Sequence, residues 1–345
     1  MTLVMPFSAW SDSAVHEFIH DINELEHDNQ WHTIQPKFEK SLSDMYSSPN
    51  GILQACQLFS EVNVEDLVLI LNSSSPEDLE RLGLCAQTAS LKVDEYMSRR
   101  KALLASSFKE LASQKLTSCS TRKSELLGPT EPLVINPALG GVITGSNYEL
   151  CTITLTFDDG PKKNYTEKIL ESLAAQDTLA NFFVVGRQVK KFPTLLEQTQ
   201  DHGHIIGNHT LTHPELNKIS YELAVKEIEE GFNEIFKVLG ESIPFFRFPY
   251  GARTRDLRSY LNTTERVEFL WNIDTRDWKL TDPVELYSYS LEQINKVKRG
   301  VILMHDVHLQ TVTAVPYLLE ALREAGYKPL LAVPGDVLNS MNSNK

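Results

Sequence analysis

The chain has 345 residues, a formal net charge of −13, 41% hydrophobic and 23% charged residues. That is the composition of a soluble globular protein, and the length predicts two domains or one large domain with an appendage. The acidic surplus argues against nucleic-acid and anionic-membrane partners, which need a basic face. No window approaches the roughly 20 apolar residues of a membrane span.

Residues 1–10 lack a basic segment, and their apolar run is too short for a signal peptide. Phe7-Ser8-Ala9 reads like the tail of one, which predicts export by a leader encoded upstream; an ordinary N-terminal arm is the alternative. From Ser13, the residues Val15, Phe18, Ile19, Ile22 and Leu25 recur at helical spacing. Trp31, Ile34, Phe38, Leu42 and Met45 predict a second helix, with Pro36 in its first turn. Shorter elements follow at 52–59 and 64–71. Ser75-Pro76-Glu77-Asp78 is a helix start: an N-cap, a proline at the first helical position, and acids where the dipole favours them. The apolar pattern carries that helix to about Gln114. His16, His20, His27 and His32 lie scattered among acids and read as solvent-facing. Residues 1–116 are therefore expected to form an all-helical N-terminal domain without catalytic groups, free to bind a partner or a glycan. The Pro- and Gly-rich residues 117–147 read as a linker. Cys56, Cys85, Cys119 and Cys151 include no Cys-x-x-Cys pair, so two disulfides and four buried thiols both stay open.

From residue 148 to 345, strand-like and helix-like segments alternate. Strands are expected at 152–157, 180–185, 204–206, 245–248, 267–271, 301–304 and 329–332. Helical patterns lie between them, at 166–175, 221–239 and 316–325 among others. Seven such units favour an α/β domain built as an incomplete parallel (β/α) barrel over an open sheet, with an active site at the C-terminal strand ends.

Five segments at those ends carry polar groups. Thr156-Phe157-Asp158-Asp159-Gly160-Pro161 stops a strand at two adjacent carboxylates, which are costly to bury unless paired; a metal is one partner, and a plain turn is the other reading. His209 and His213 are four apart, a spacing that metal sites use, with Pro214 limiting them to a loop or a single turn. Arg247 in Arg-Phe-Pro-Tyr-Gly could hold a carboxylate ionised, or face solvent. Asp274-Thr-Arg-Asp-Trp278 offers acids to orient a base and an indole to wall a pocket. Leu303-Met-His305 ends a further apolar strand.

In this order the five segments resemble the motifs of the polysaccharide deacetylases of carbohydrate esterase family 4, across residues of about 150–335. The resemblance implies a distorted (β/α) barrel that removes acetyl groups, N-acetyl ahead of O-acetyl, from a polymer such as peptidoglycan or chitin. It implies that Asp159, His209 and His213 hold a divalent metal, with zinc expected. Asp158 would be the general base, oriented by Arg247, and His305 the general acid, tuned by Asp277. The backbone N–H of Tyr250 would help hold the oxyanion. Pro249, Trp278 and Leu303 would contact substrate, Leu303 within the acetyl pocket. Polymers of this kind place the protein in the periplasm or outside the cell. The rivals are a glycosidase working with paired carboxylates and a non-catalytic carbohydrate-binding module.

Overall fold

A computed structural model describes residues 39–335, apart from 41, 45, 48, 62–66, 68–69, 72–73, 120–129 and 242–243. The helix expected from Ser13, the four N-terminal histidines, the leader-like residues 7–9 and most of the helix begun at Trp31 lie outside the described residues. The chain divides into two compact units between Leu104 and Ala105.

In the first unit, α1 (Pro49–Glu61) precedes α2 (Pro76–Leu82). The Ser75 side chain accepts the Asp78 N–H at 3.1 Å, and Pro76 opens the helix, as the sequence motif requires. The single helix expected to run to about Gln114 is interrupted. Gly83 takes φ +56 and turns its N–H back onto the Leu79 and Glu80 carbonyls, a conformation glycine adopts without a Cβ penalty. The chain then resumes as α3 (Leu84–Lys115). Leu42, Tyr46, Phe59, Leu67, Ile70 and Leu82 form this unit's core, beside a Cys56–Cys85 disulfide.

The second unit holds an all-parallel sheet. Its strands are β1 (Glu131–Ile135), β2 (Val142–Ile143), β3 (Thr152–Asp158), β4 (Asn181–Val184), β5 (Ile205–Asn208), β6 (Phe245–Phe246), β7 (Val267–Phe269), β8 (Ile273–Asp274), β9 (Gly300–His305) and β10 (Lys328–Pro334). The wall runs β8-β9-β3-β4-β5-β6-β7-β2, with β10 and then β1 branching from the start of β3. No pairing closes β8 onto β7 or β2 among the described residues, so the barrel is open, as the sequence led us to expect. Every residue of β3 is buried, the mark of a parallel strand with both faces covered. Phe183, Phe245, Val267, Phe269 and Val301 pack inside the barrel.

The stretch 117–147, expected as a linker, is partly sheet. β1 pairs with β10 and β2 with β7. Their hydrogen bonds come from strands more than a hundred residues away, so local composition conceals them. The second disulfide, Cys119–Cys151, ties the segment after α3 to the entry of β3. Just upstream, Phe108 of α3 lies between Tyr287 and Tyr317, at ring distances of 4.6 and 4.3 Å.

Candidate active site

Parallel strands all point their C-terminal ends the same way, so polar groups at those ends gather over one mouth. Register makes the meeting specific: Asp158 is level with His305 across β3 and β9, and Thr156 is level with Leu303.

Asp159 leaves β3 at φ +76, with its N–H on the Phe183 carbonyl. The His209-Thr-Leu-Thr-His213 loop leaves β5, and two of its residues, Thr210 (φ +71) and His213 (φ +65), adopt left-handed backbone. Asn208 holds the loop by accepting the Thr210 N–H at 2.9 Å while donating to the Ile228 carbonyl. The Thr210 hydroxyl accepts the His213 N–H at 3.0 Å.

Asp159 Oδ1 then lies 3.5 Å from His209 Nε2 and 3.2 Å from His213 Nε2. The ligand atoms of these three residues fall within 4.8 Å of one another. Ligands about 2.0–2.2 Å from a tetrahedral zinc stand roughly 3.3–3.6 Å apart, so the triangle fits a metal. Two further observations agree. Asp159 Oδ1 is buried with no hydrogen-bond partner among the described residues. His209 Nδ1 donates to the Arg247 carbonyl at 2.8 Å, which leaves the Nε2 lone pair aimed at Asp159. Burial pushes His209 down to about 3 and His213 below its ordinary value, so both rings are neutral, as ligands must be.

Arg247, fully buried, lies on one side of the triangle. It donates from Nη1 to Asp158 Oδ1 at 2.6 Å and to Thr156 Oγ1 at 2.9 Å, and its guanidinium stacks 4.1 Å from the Phe183 ring. Burial lifts the Asp158 carboxyl from 3.8 to about 6, and Arg247 pulls it back downward, the direction expected of a neighbouring cation.

On the other side, Asp277 accepts from His305 Nδ1 at 2.7 Å and from the His305 backbone N–H at 2.6 Å. Burial alone would depress His305. The Asp277 charge and hydrogen bond overcome that, with Asp159 and Asp158 adding to them, and raise it to about 10. Asp159 is in turn held below the carboxylate range: burial opposes this, and the His305 charge leads the terms that outweigh it.

Tyr250 (φ +58) brings its ring to 4.7 Å from that of His213. Tyr250 and Trp278 are 65% and 56% exposed, while Pro249 and Leu303 are buried. Asp158, Asp159, His209, His213, Arg247, Tyr250, Asp277 and His305 therefore meet at one barrel mouth.

A family model described as polysaccharide deacetylase matches residues 147–267. A chitooligosaccharide deacetylase of Azorhizobium caulinodans is 31% identical over 191 residues, an alignment covering 51% of this chain and 90% of that relative. The chain belongs to the polysaccharide deacetylase family, carbohydrate esterase family 4. The chain is also 37% identical over 182 residues to a peptidoglycan-N-acetylglucosamine deacetylase of Bacillus cereus, covering 50% of this chain and 66% of that relative. It spans 37% of the length of a peptidoglycan-N-acetylmuramic acid deacetylase of Bacillus subtilis. Among solved structures, a Bdellovibrio bacteriovorus peptidoglycan deacetylase superposes with a TM-score of 0.57 at 25% identity, over 94% of this chain and 95% of that one. The family is metal-dependent, and among the described residues Asp159, His209 and His213 form a group able to hold an ion.

Sequence reading passed over several residues that the deacetylase fold brings to the site. Thr156 is the second acceptor for Arg247. Asp306, adjacent to His305, is fully buried, takes the Thr166 hydroxyl, and lies where a side chain on Gly160 would have to go. Its place beside a motif histidine was the available signal. Thr311 and Gln310 reach Asp277 from a distant helix, and no local pattern announces them.

Proposed function

We propose that the chain hydrolyses acetyl groups from the amino sugars of a polysaccharide such as peptidoglycan or chitin, with N-acetyl groups ahead of O-acetyl. One observation carries this reading: a metal-ready Asp159–His209–His213 triangle flanked by a buried base on one side and a carboxylate-held histidine on the other.

A divalent ion held there, with zinc as our assignment, would polarise the acyl oxygen and lower the pKa of a water beside it. Asp158, ionised and fixed by Arg247, accepts that water's proton as the new C–O bond forms. His305, protonated at Nε2 because Nδ1 is committed to Asp277, gives a proton to the sugar nitrogen as the C–N bond breaks. Acetate and a free amine are the products. The Tyr250 N–H, presented by left-handed backbone, is assigned to the developing oxyanion. Leu303 is assigned to the acetyl methyl, and Pro249 and Trp278 to the glycan.

Two disulfides suit an oxidising compartment. Together with a cell-envelope polymer as substrate, they support a periplasmic or secreted location. No described helix is long and apolar enough to cross a membrane. The described helices before residue 116 carry no catalytic set, and exposed Leu53, Leu84, Leu91 and Leu103 support a role in docking a partner or glycan.

Product analysis tests the reading. Zinc-loaded protein incubated with peptidoglycan, chitin oligomers and acetylated xylan should release acetate without shortening the polymer. Shortening without acetate would make it a glycosidase, and binding with neither product would make it a carbohydrate-binding module.

A further inference from the structure

The histidine–carboxylate pair described above is held from behind by a group outside all five motifs. We propose that Thr311 is a positioning residue for the reaction: its hydroxyl fixes the Asp277 carboxylate and, through it, the His305 ring. This rests on the assignment of His305 as the proton donor.

Asp277 is fully buried and Thr311 is 1% exposed. Thr311 Oγ1 donates to Asp277 Oδ2 at 2.7 Å. The same oxygen takes the His305 backbone N–H at 2.6 Å, which leaves Oδ1 for the His305 ring at 2.7 Å. The two bonds from His305 move with His305, so they cannot fix the carboxylate independently of the residue it is meant to orient. Among the described residues, Thr311 is the side-chain donor to this carboxylate that comes from another element. That element is the helix Leu309–Glu324. It is tied to the motif a second time, by Gln310 Nε2 donating to the Asp277 carbonyl at 2.6 Å. Leu286, Met304, Val315 and Leu318 line the small internal void that Asp277 and Thr311 border. A hydrogen bond buried from water is electrostatically strong, and its loss removes the donor that holds Asp277 Oδ2 independently of His305.

Without the Thr311 hydroxyl the carboxylate can turn about its Cβ–Cγ bond, and the imidazole follows it. Misplacing a proton donor by about 1 Å can cost on the order of 10²-fold in rate.

The test uses full-length, zinc-loaded protein with an N-acetylchitooligosaccharide, read by acetate release. Thr311→Val keeps the shape and removes the donor. Its kcat should fall by on the order of 10–10²-fold, with KM within about twofold and zinc content unchanged. Thr311→Ser restores the donor and should hold kcat within about threefold of the parent. A Val variant with parental kcat overturns the proposal. So does a Ser variant as impaired as Val, or a loss confined to KM, since either would mark a packing role. If the Val variant does not fold, Thr311→Ala lacks the donor without adding bulk and is judged by the same criteria. His305→Ala separates the two layers. Near-parental kcat there removes the assignment of His305 and Thr311 falls with it, whereas an inactive His305→Ala beside a fully active Thr311→Val removes the Thr311 proposal alone.

Discussion

Replacing Arg247 with Met isolates what the buried guanidinium does for Asp158. Both side chains lie out of solvent, and the pair is joined at 2.6 Å, with Thr156 as a second anchor at 2.9 Å. Removing one partner of a buried ion pair costs about 3–5 kcal/mol, because the other charge is left uncompensated. In a unit of this size that is roughly 6–20 °C in Tm. The loss should depend on pH. Burial lifts the native Asp158 carboxyl from 3.8 to about 6, so the folded chain binds that proton more tightly than the unfolded one. Its contribution to stability is therefore greatest below the unfolded value and drains away as pH rises through the native one, by about 3 kcal/mol in all. Without Arg247 the native value climbs further and the window widens upward. Thermal melts of chelated Arg247→Met and parent should therefore differ by about 3–5 kcal/mol at pH 8 and far less at pH 5, where Asp158 is protonated in both. After metal loading, kcat at pH 7 should fall by on the order of 10²–10⁴-fold, since the base is protonated. Equal destabilisation at the two pH values, or under about 1 kcal/mol at pH 8, would refute the reasoning.

The metal set can be separated from the base beside it. Asp159→Ala and His213→Ala should abolish stoichiometric zinc or cobalt uptake measured by titration, while Asp158→Asn should retain the ion and lose turnover; an Asp158→Asn protein without metal would reverse the two carboxylate assignments. Chelation of the parent should remove activity, and zinc or cobalt should restore it. The Cys119–Cys151 bridge spans 32 residues, a loop for which chain entropy gives about 3–4 kcal/mol. The double Cys→Ser variant should melt roughly 6–16 °C lower, and a drop of under 2 °C would show that packing at Phe108 holds the segment unaided.

All seven strands expected from sequence are present because each is a short, mostly apolar run close to turn formers, a signal local enough to read. The motif residues were legible for the same reason, since each ends such a run. What lies between distant segments was not. β1 and β2 owe their existence to partners in β10 and β7 and look like a broken, Pro-rich connection by themselves. Thr311 meets Asp277 across 34 residues of chain, a distance no periodicity encodes. The cysteines carried no spacing that could choose between bridge and thiol, and pairing came only with the fold. The upward pull of burial on Asp158 was also hidden, because the sequence shows its cation and not the depth at which the carboxyl lies.

Four of the residues that build the mouth, Asp159, Thr210, His213 and Tyr250, hold positive φ angles between +58 and +76 without being glycine. Each such residue costs of order 1–3 kcal/mol that a glycine would not. Directed evolution for heat resistance alone would therefore have an easy route at these positions, and it would be the wrong one. Glycine at 210 relaxes the backbone but deletes the hydroxyl that carries His213; at 159 it deletes a ligand. A library ranked by melting temperature should fill with robust, silent barrels, and useful thermostable variants should come from substitutions far from the strand ends.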